Sequence, residues 1–200
     1  MAKAPMAGAV KTRLASQIGV ATATRFARHS TAALIARVGF DPRWKTSLWV
    51  APDANSTSRH WPRGVPHISQ GRGNLGHRMQ RILDRSAPGP VVMIGTDIPG
   101  ITSAHIMQAF RILGRADCVF GRATDGGYWL VGARRRPRTP RPFTNVRWSS
   151  EHALADTLAN LAGQSIGFVA TLSDVDEAAA LARCTGFGRR VVGSASMPAE

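Results

Sequence analysis

Pro90-Val91-Val92-Met93-Ile94-Gly95-Thr96-Asp97-Ile98-Pro99 is the stretch on which the fold turns. A continuous apolar run bounded by proline and glycine fits a strand buried on both faces of a parallel sheet. An acid just beyond such a strand stands at its carboxyl end, where open α/β sheets bind ligands. Asp97 then has two readings. It is a hard oxygen ligand for Mg²⁺ or Mn²⁺ bridging to phosphates, or it caps the next helix through the Pro99 turn. Thr102 and Ser103 already serve as caps there, which favours the metal.

Outward from this stretch the periodicities alternate. Thr22 to Val38, Asn74 to Leu83 and Thr102 to Leu113 have helical spacing. Ser47–Ala51, Asp117–Gly121, Tyr128–Gly132 and Ile166–Leu172 read as strands. Ser149 or Ser150 is expected to cap a helix running to about residue 162, with Glu151 in its first turn. A short helix from Asp176 to Ala182 and a mobile Gly/Ser-rich tail from Thr185 complete the chain. The alternation predicts a three-layer α/β/α domain with a mainly parallel sheet, residues 1–184, followed by tail 185–200.

Composition narrows the function. The chain has 200 residues, 44% of them apolar, enough for one sizeable core. No apolar run is long enough for a membrane span, and no secretory signal opens the chain. Cys118 and Cys184 lack C-x-x-C spacing and read as reduced buried thiols of a cytoplasmic protein. The net charge of +14 comes almost wholly from dispersed arginine. Aromatics are not interleaved with it, which argues against nucleic acid as partner. The dense run Arg134 to Arg141 is a solvated loop or a phosphate contact.

Lys3-Ala4-Pro5-Met6-Ala7-Gly8-Ala9-Val10-Lys11-Thr12-Arg13-Leu14 joins a Pro/Gly turn to two cations and a helix start. A bare backbone near Gly8, helix N–H groups at Thr12 and the charges of Lys11 and Arg13 would suit a polyphosphate. An ordinary surface turn reads equally well. Gln70-Gly71-Arg72-Gly73-Asn74-Leu75-Gly76 is a second glycine-rich loop, suited to a base or ribose, with Arg78 one step inside the helix. Asp125-Gly126-Gly127-Tyr128 is a hairpin turn, or a place where a sugar approaches the backbone. Asp174 and Asp176 end the last strand. Asp176 is either a second metal carboxylate or a helix cap. No G-x-S-x-G, H-E-x-x-H or full P-loop occurs, and the histidines lack metal-ligand spacing.

Taken in order, these segments resemble a known family. They are Lys-x-Pro-x-x-Gly-x-x-Lys-Thr-Arg-Leu (3–14), Gln-Gly-x-Gly-x-Leu-Gly-x-Arg-Met (70–79), Gly-x-Asp-x-Pro (95–99), Asp-Gly-Gly-Tyr (125–128), Trp-Ser-Ser (148–150) and Asp-Val-Asp (174–176). The family is one of bacterial GT-A-fold transferases, associated with radical-SAM proteins and selenodomains or with arsenosugar biosynthesis. The opening is also similar to that of 2-phospholactate guanylyltransferases. The resemblance implies a nucleotide-diphospho-sugar transferase fold with its first strand missing here. It implies that Lys3, Gly8, Lys11, Thr12, Arg13, Gln70, Gly71, Gly73 and Arg78 hold the nucleotide and its phosphates. It implies that Asp97 and Asp176 hold Mg²⁺ or Mn²⁺. Gly126, Gly127, Tyr128, Trp148 and Ser149 would line the acceptor side, with Asp125 as the best choice of base. The expected activity is glycosyl transfer from a nucleotide-sugar to a small-molecule acceptor. Nucleotidyl transfer from a nucleoside triphosphate and non-catalytic nucleotide binding are the alternatives.

Overall fold

The computed structural model describes residues 1–6, 12–55 and 60–173. Strand β1 (Ala2–Lys3) leads to helices α1 (Thr12–Ile18) and α2 (Val20–Val38), then to β2 (Leu48–Ala51), β3 (His67–Ser69) and α3 (Leu75–Arg85). There follow β4 (Val91–Ile94), α4 (Ser103–Leu113), β5 (Cys118–Ala123), β6 (Tyr128–Ala133), α5 (Ala153–Ala159) and β7 (Ile166–Leu172). β1, β2 and β3 pair in parallel, in that order. The remaining strands run in the order β4-β6-β5-β7, with β6 antiparallel to both neighbours and β5 parallel to β7. The Met1 nitrogen donates to Ile94 O at 2.8 Å and links the β1 side to β4.

The strands separate two helical layers. Leu34 and Val38 of α2 and Ile106, Ala109 and Leu113 of α4 pack on Val119, Leu130 and Val169. Met79, Ile82 and Leu83 of α3, with Leu154 and Leu158 of α5, cover Cys118, Phe120 and Val131 on the opposite face. Cys118, Val119 and Phe120 are consecutive, so their alternation between the two cores is the two-residue period of a strand. This is the expected three-layer, mainly parallel α/β fold. Burial pushes the Cys118 thiol up to about 12. No described helix is long and apolar enough to cross a membrane.

Several expectations shift. The first strand, expected to be missing, is present as two residues, with Ala2 opposite Val50 and Lys3 opposite Ala51. β4 is not buried on both faces: Met93 is buried, but Val91, Val92 and Ile94 are only partly so. β6 forms a full ladder on one side of it, and no described strand is paired on the other. α2 begins at Val20, where Gly19 at φ 84° redirects the chain out of α1. β3 carries no clear strand pattern in the sequence; it is three residues long and only partly covered. The predicted helix at 176–182, the tail from 185 and Cys184 lie outside the described residues.

Two further expectations need correction. Neither Ser149 nor Ser150 caps α5, which begins at Ala153 after His152 and ends at Ala159. Ser150 Oγ instead donates to Arg147 O and accepts from His152 N, winding residues 147–152 into a turn before the helix. Glu151 thereby falls in that turn rather than in the helix. The arginine run, in turn, divides: Arg136, Arg138 and Arg141 are exposed, as a solvated loop would have them, whereas Arg134 and Arg135 bond to the fold. Arg135 donates to Leu83 O, Ser86 O, Ala87 O and Gly89 O and so closes the carboxyl end of α3. Arg134 pairs with Asp117.

Gly121 lies under the indole of Trp129, and a methyl there would come within 2.5 Å of the ring. The ring cannot step aside, because its Nε1 donates to Ala170 O at 3.0 Å. Gly121→Ala is therefore expected to overpack the core and cost about 1–3 kcal/mol. A lowered midpoint in urea denaturation, with no change in slope, would verify it.

Candidate functional site

A crevice of about 950 Å³ opens at the carboxyl ends of β1 and β4. It gathers nine of the sequence-predicted residues: Lys3, Gln70, Arg78, Asp97, Asp125, Gly127, Tyr128, Trp148 and Ser149. Segments far apart in sequence thus meet at one place, where the strand-order rule puts ligands. Gly71, Gly73 and Gly126 are not on its wall. Gly8, Lys11 and Asp176 lie outside the described residues. Thr12 and Arg13 open α1, with their side chains outside the description.

The Asp97 loop is held from three directions. Gly95 N donates to Trp129 O at 3.1 Å, and Ile98 and Ile101 are buried anchors. From α2, Arg37 donates to Pro99 O and, at 2.9 Å, to Ile101 O. The carboxylate folds back over Gly95 so closely that a methyl there would lie 2.9 Å from Asp97 Oδ1. Thr102 is the residue that caps α4, its N donating to His105 Nδ1 at 3.2 Å, so Asp97 is not used for capping.

The glycine-rich loop is shaped by arginines. Gly71 and Gly73 have φ values of 74° and 110°, where a side chain would be strained. Methyls at these positions would meet the Arg81 guanidinium and His77 Cβ. Arg81 donates to Gln70 O and Arg72 O, while Arg78 Nε donates to Gly73 O at 2.9 Å. The Gly73 carbonyl thus aims Arg78, leaving its terminal nitrogens without a partner among the described residues. Asp53 accepts from Gly71 N at 2.9 Å, and its hydrogen bond with Ser69 holds its carboxyl below the usual range, aided by Gly71, Arg78 and Arg81.

The lining also holds aromatic and acidic residues. Asp125 Oδ1 accepts from Gly127 N at 2.9 Å, fixing the hairpin turn between β5 and β6. Gly126, at φ 84°, admits the backbone of Glu151 where a methyl would sit 2.4 Å away. Tyr128 presents its ring edge-on to Trp148 at 6.5 Å, but its hydroxyl turns to Thr157 Oγ1 at 3.3 Å, away from any ligand. Burial pushes that phenol well above its ordinary range. Ser149 has φ 60°, a left-handed conformation uncommon for serine. The turn carrying Trp148 is braced by Asp156, which accepts from Arg147 N, Nε and Nη2.

Sequence reasoning missed Glu151, Thr96 and the α2 pair Ser30 and Thr31, all on the crevice wall. The signal for α2 is a polar Ser-Thr step on a helix whose buried face is mainly apolar. The crevice lining carries charges of both signs: Lys3 and Arg78, and Asp97, Asp125 and Glu151. Among the described residues no three His, Cys, Asp or Glu side chains gather into a metal cage. Mg²⁺ needs only one or two carboxylates plus substrate phosphates, so Asp97 fits as one such ligand.

In fold, the chain is similar to the crystal structure of a "putative nucleotide-diphospho-sugar transferase" from Desulfovibrio desulfuricans G20. The TM-score is 0.81 at 24% identity, over 96% of this chain and 90% of that one. It also matches Rv0371c from Mycobacterium tuberculosis H37Rv at TM-score 0.49 and 15% identity, over 84% and 83% of the two chains, too distant to carry an argument. The chain thus shares the fold of that Desulfovibrio protein. The chain belongs to the family described as "Uncharacterized protein conserved in bacteria (DUF2064)", whose model matches residues 34–150. No curated protein matches it.

Two outcomes are expected of this geometry. Gly95→Ala displaces the Asp97 carboxylate, and a crystal structure of the variant would show that side chain in a new rotamer. The Arg147 guanidinium holds the Asp156 carboxyl well below the usual range, and Arg147 is correspondingly raised. A depressed carboxyl stabilises the fold fully above its unfolded value of about 4 and loses that contribution as pH falls further. The pair's contribution to the urea midpoint should therefore hold from neutral pH to about 4 and decline below it, and Asp156→Asn should lower the midpoint already at pH 7.

Proposed function

We propose that this chain is a transferase that takes a nucleotide-diphospho-sugar as donor and passes the glycosyl group to a small-molecule acceptor. One observation carries the reading. At the carboxyl ends of the strands, a single crevice is lined by the cations Lys3 and Arg78, the carboxylates Asp97, Asp125 and Glu151, and the aromatic rings of Tyr128 and Trp148. The DUF2064 match and the likeness in fold support it. The finer kinship with selenodomain-associated and arsenosugar-biosynthesis transferases belongs to the same proposal.

In this reading Lys3 and Arg78, joined by Lys11 and Arg13, bind the diphosphate and neutralise the charge that grows on it as it departs. Arg78 arrives pre-aimed by the Gly73 carbonyl, so little orientational freedom is lost on binding. Asp97 and Asp176 would hold Mg²⁺ or Mn²⁺. Bound there, the ion would supply further charge stabilisation at the leaving phosphate. Asp176 is included on the Asp-Val-Asp motif (174–176) that carries the resemblance. Trp148 offers an apolar face to a sugar ring, and Gly127 lets it approach the backbone. Asp125, with Oδ1 occupied by Gly127 N, would use Oδ2 to take the proton of the acceptor hydroxyl as the new glycosidic bond forms. Nucleotidyl transfer from a nucleoside triphosphate is the second reading, favoured by the cation-rich Lys11-Thr12-Arg13 sequence.

Thermal-shift screening of nucleotide-sugars and nucleoside triphosphates, with and without Mg²⁺ or Mn²⁺, tests the proposal. Stabilisation by a nucleotide-sugar that grows with metal is expected, and Asp97→Ala should abolish the metal-dependent part. A response to no nucleotide, with or without metal, would overturn the enzyme reading; an unchanged shift in Asp97→Ala would remove Asp97 from the metal site. Asp125→Ala should lower turnover by about 10²–10⁴ while leaving donor stabilisation intact.

A further inference from the structure

The turn Asp125-Gly126-Gly127 and the segment from Trp148 to Glu151 pack on each other at the crevice. Leu154 N donates to Gly126 O at 3.3 Å, and a methyl on Gly126 would sit 2.4 Å from Glu151 O. Tyr128 and Trp148 flank this contact, their rings meeting at 69° with centroids 6.5 Å apart. Both rings, Asp125 and Glu151 line the crevice. The charge of this corner is out of keeping with the chain. There are 26 lysines and arginines against 12 acids, and Asp41, Asp117 and Asp156 each hold an arginine. Asp125 and Glu151 meet no lysine or arginine among the described residues. Asp125 Oδ1 accepts from Gly127 N, and Glu151, its side chain 80% exposed, has His152 Nε2 at 3.8 Å. Arg147, which could reach them by sequence, is committed to Asp156.

Hydrogen-bond donors are withdrawn from the corner as well. Gly127 N serves Asp125, the Tyr128 hydroxyl turns to Thr157, and Ser150 Oγ donates to Arg147 O. What stays available is ring surface and negative charge. Resting on the nucleotide-sugar reading, we propose that the acceptor is a cationic alcohol, its ammonium group held at the Tyr128–Trp148 corner beside Glu151. Aromatic faces attract a cation through their quadrupole, and an adjacent carboxylate adds to the attraction. An anionic acceptor would meet two carboxylates and no arginine. The two acids then divide the work. Glu151 anchors the charge, while Asp125 Oδ2 takes the hydroxyl proton as the acceptor oxygen bonds to the sugar carbon and the bond from that carbon to the diphosphate breaks.

Saturation-transfer NMR titrations of the intact protein with Mg²⁺ test this, with choline and ethanolamine as probes. Dimethylbutanol, the uncharged carbon analogue of choline, and glycolate, an anionic alcohol, are the comparisons. At least one cation should bind about fivefold or more tighter than dimethylbutanol and glycolate, the effect of a cation–π contact. Glu151→Gln, a change on an exposed side chain, should weaken that cation about threefold. Binding of neither cation, equal or tighter binding of dimethylbutanol or glycolate, or a cation affinity unmoved by Glu151→Gln overturns the cationic acceptor. The donor reading stands in those cases if nucleotide-sugars still stabilise the protein. A cation that binds as stated, while no nucleotide-sugar stabilises the protein, overturns the donor reading and the acceptor role with it.

Discussion

The Gln70 amide, donating to Ala2 O and Trp49 O, is the contact on which the site depends. β1 has only two residues, and a strand that short cannot hold itself in a sheet by ladder bonds alone. It stays in register through its pairing with β2, the bond from Ala4 N to Ala51 O, and this side chain reaching across from the end of β3. Lys3 is part of that strand, and the predicted phosphate loop begins directly after it. A buried amide therefore positions the cationic end of the crevice.

A similar economy governs the rest of the site. Arg78 and Arg81 shape the glycine-rich loop, and Arg78 keeps its terminal nitrogens for the crevice. Arg37 ties the Asp97 loop to α2, and the Arg147–Asp156 pair sets the turn that carries Trp148. The high arginine content first invites a nucleic-acid reading. In the fold, several of these guanidiniums satisfy backbone carbonyls at loops and helix ends that would otherwise lack partners.

Much of the architecture was legible because its signals are local. The apolar runs at 48–51, 91–94 and 166–172 and the helical spacing of α2, α3 and α4 follow from periodicity, and Thr102 announces the start of α4. Ile166–Leu172 coincides with β7 residue for residue. β3 escaped because three partly covered residues carry no period. The start of α5 was misplaced because the Ser150 hydroxyl bonds back to Arg147 O, a choice that depends on the distant Asp156. The crevice itself was partly legible: its acids and glycine-rich loops stand at strand ends, whereas the contributions of α2 and Glu151 arise only from packing. Gly71 and Gly73 are explained by positive φ beside Arg81 and His77, and Gly76 by its packing against Phe143 and Trp148, tertiary causes that no motif encodes.

The central claim is that the crevice binds a nucleotide-diphospho-sugar and releases its glycosyl group. Phosphorus NMR of the protein incubated with nucleotide-sugars, Mn²⁺-free Mg²⁺ buffer and a small-molecule cell extract as acceptor source tests it most directly. The account predicts that resonances of a nucleotide-sugar give way to those of the free nucleoside diphosphate. Nucleotide-sugar resonances left intact, with pyrophosphate released instead when a nucleoside triphosphate is added to the same mixture, would contradict it.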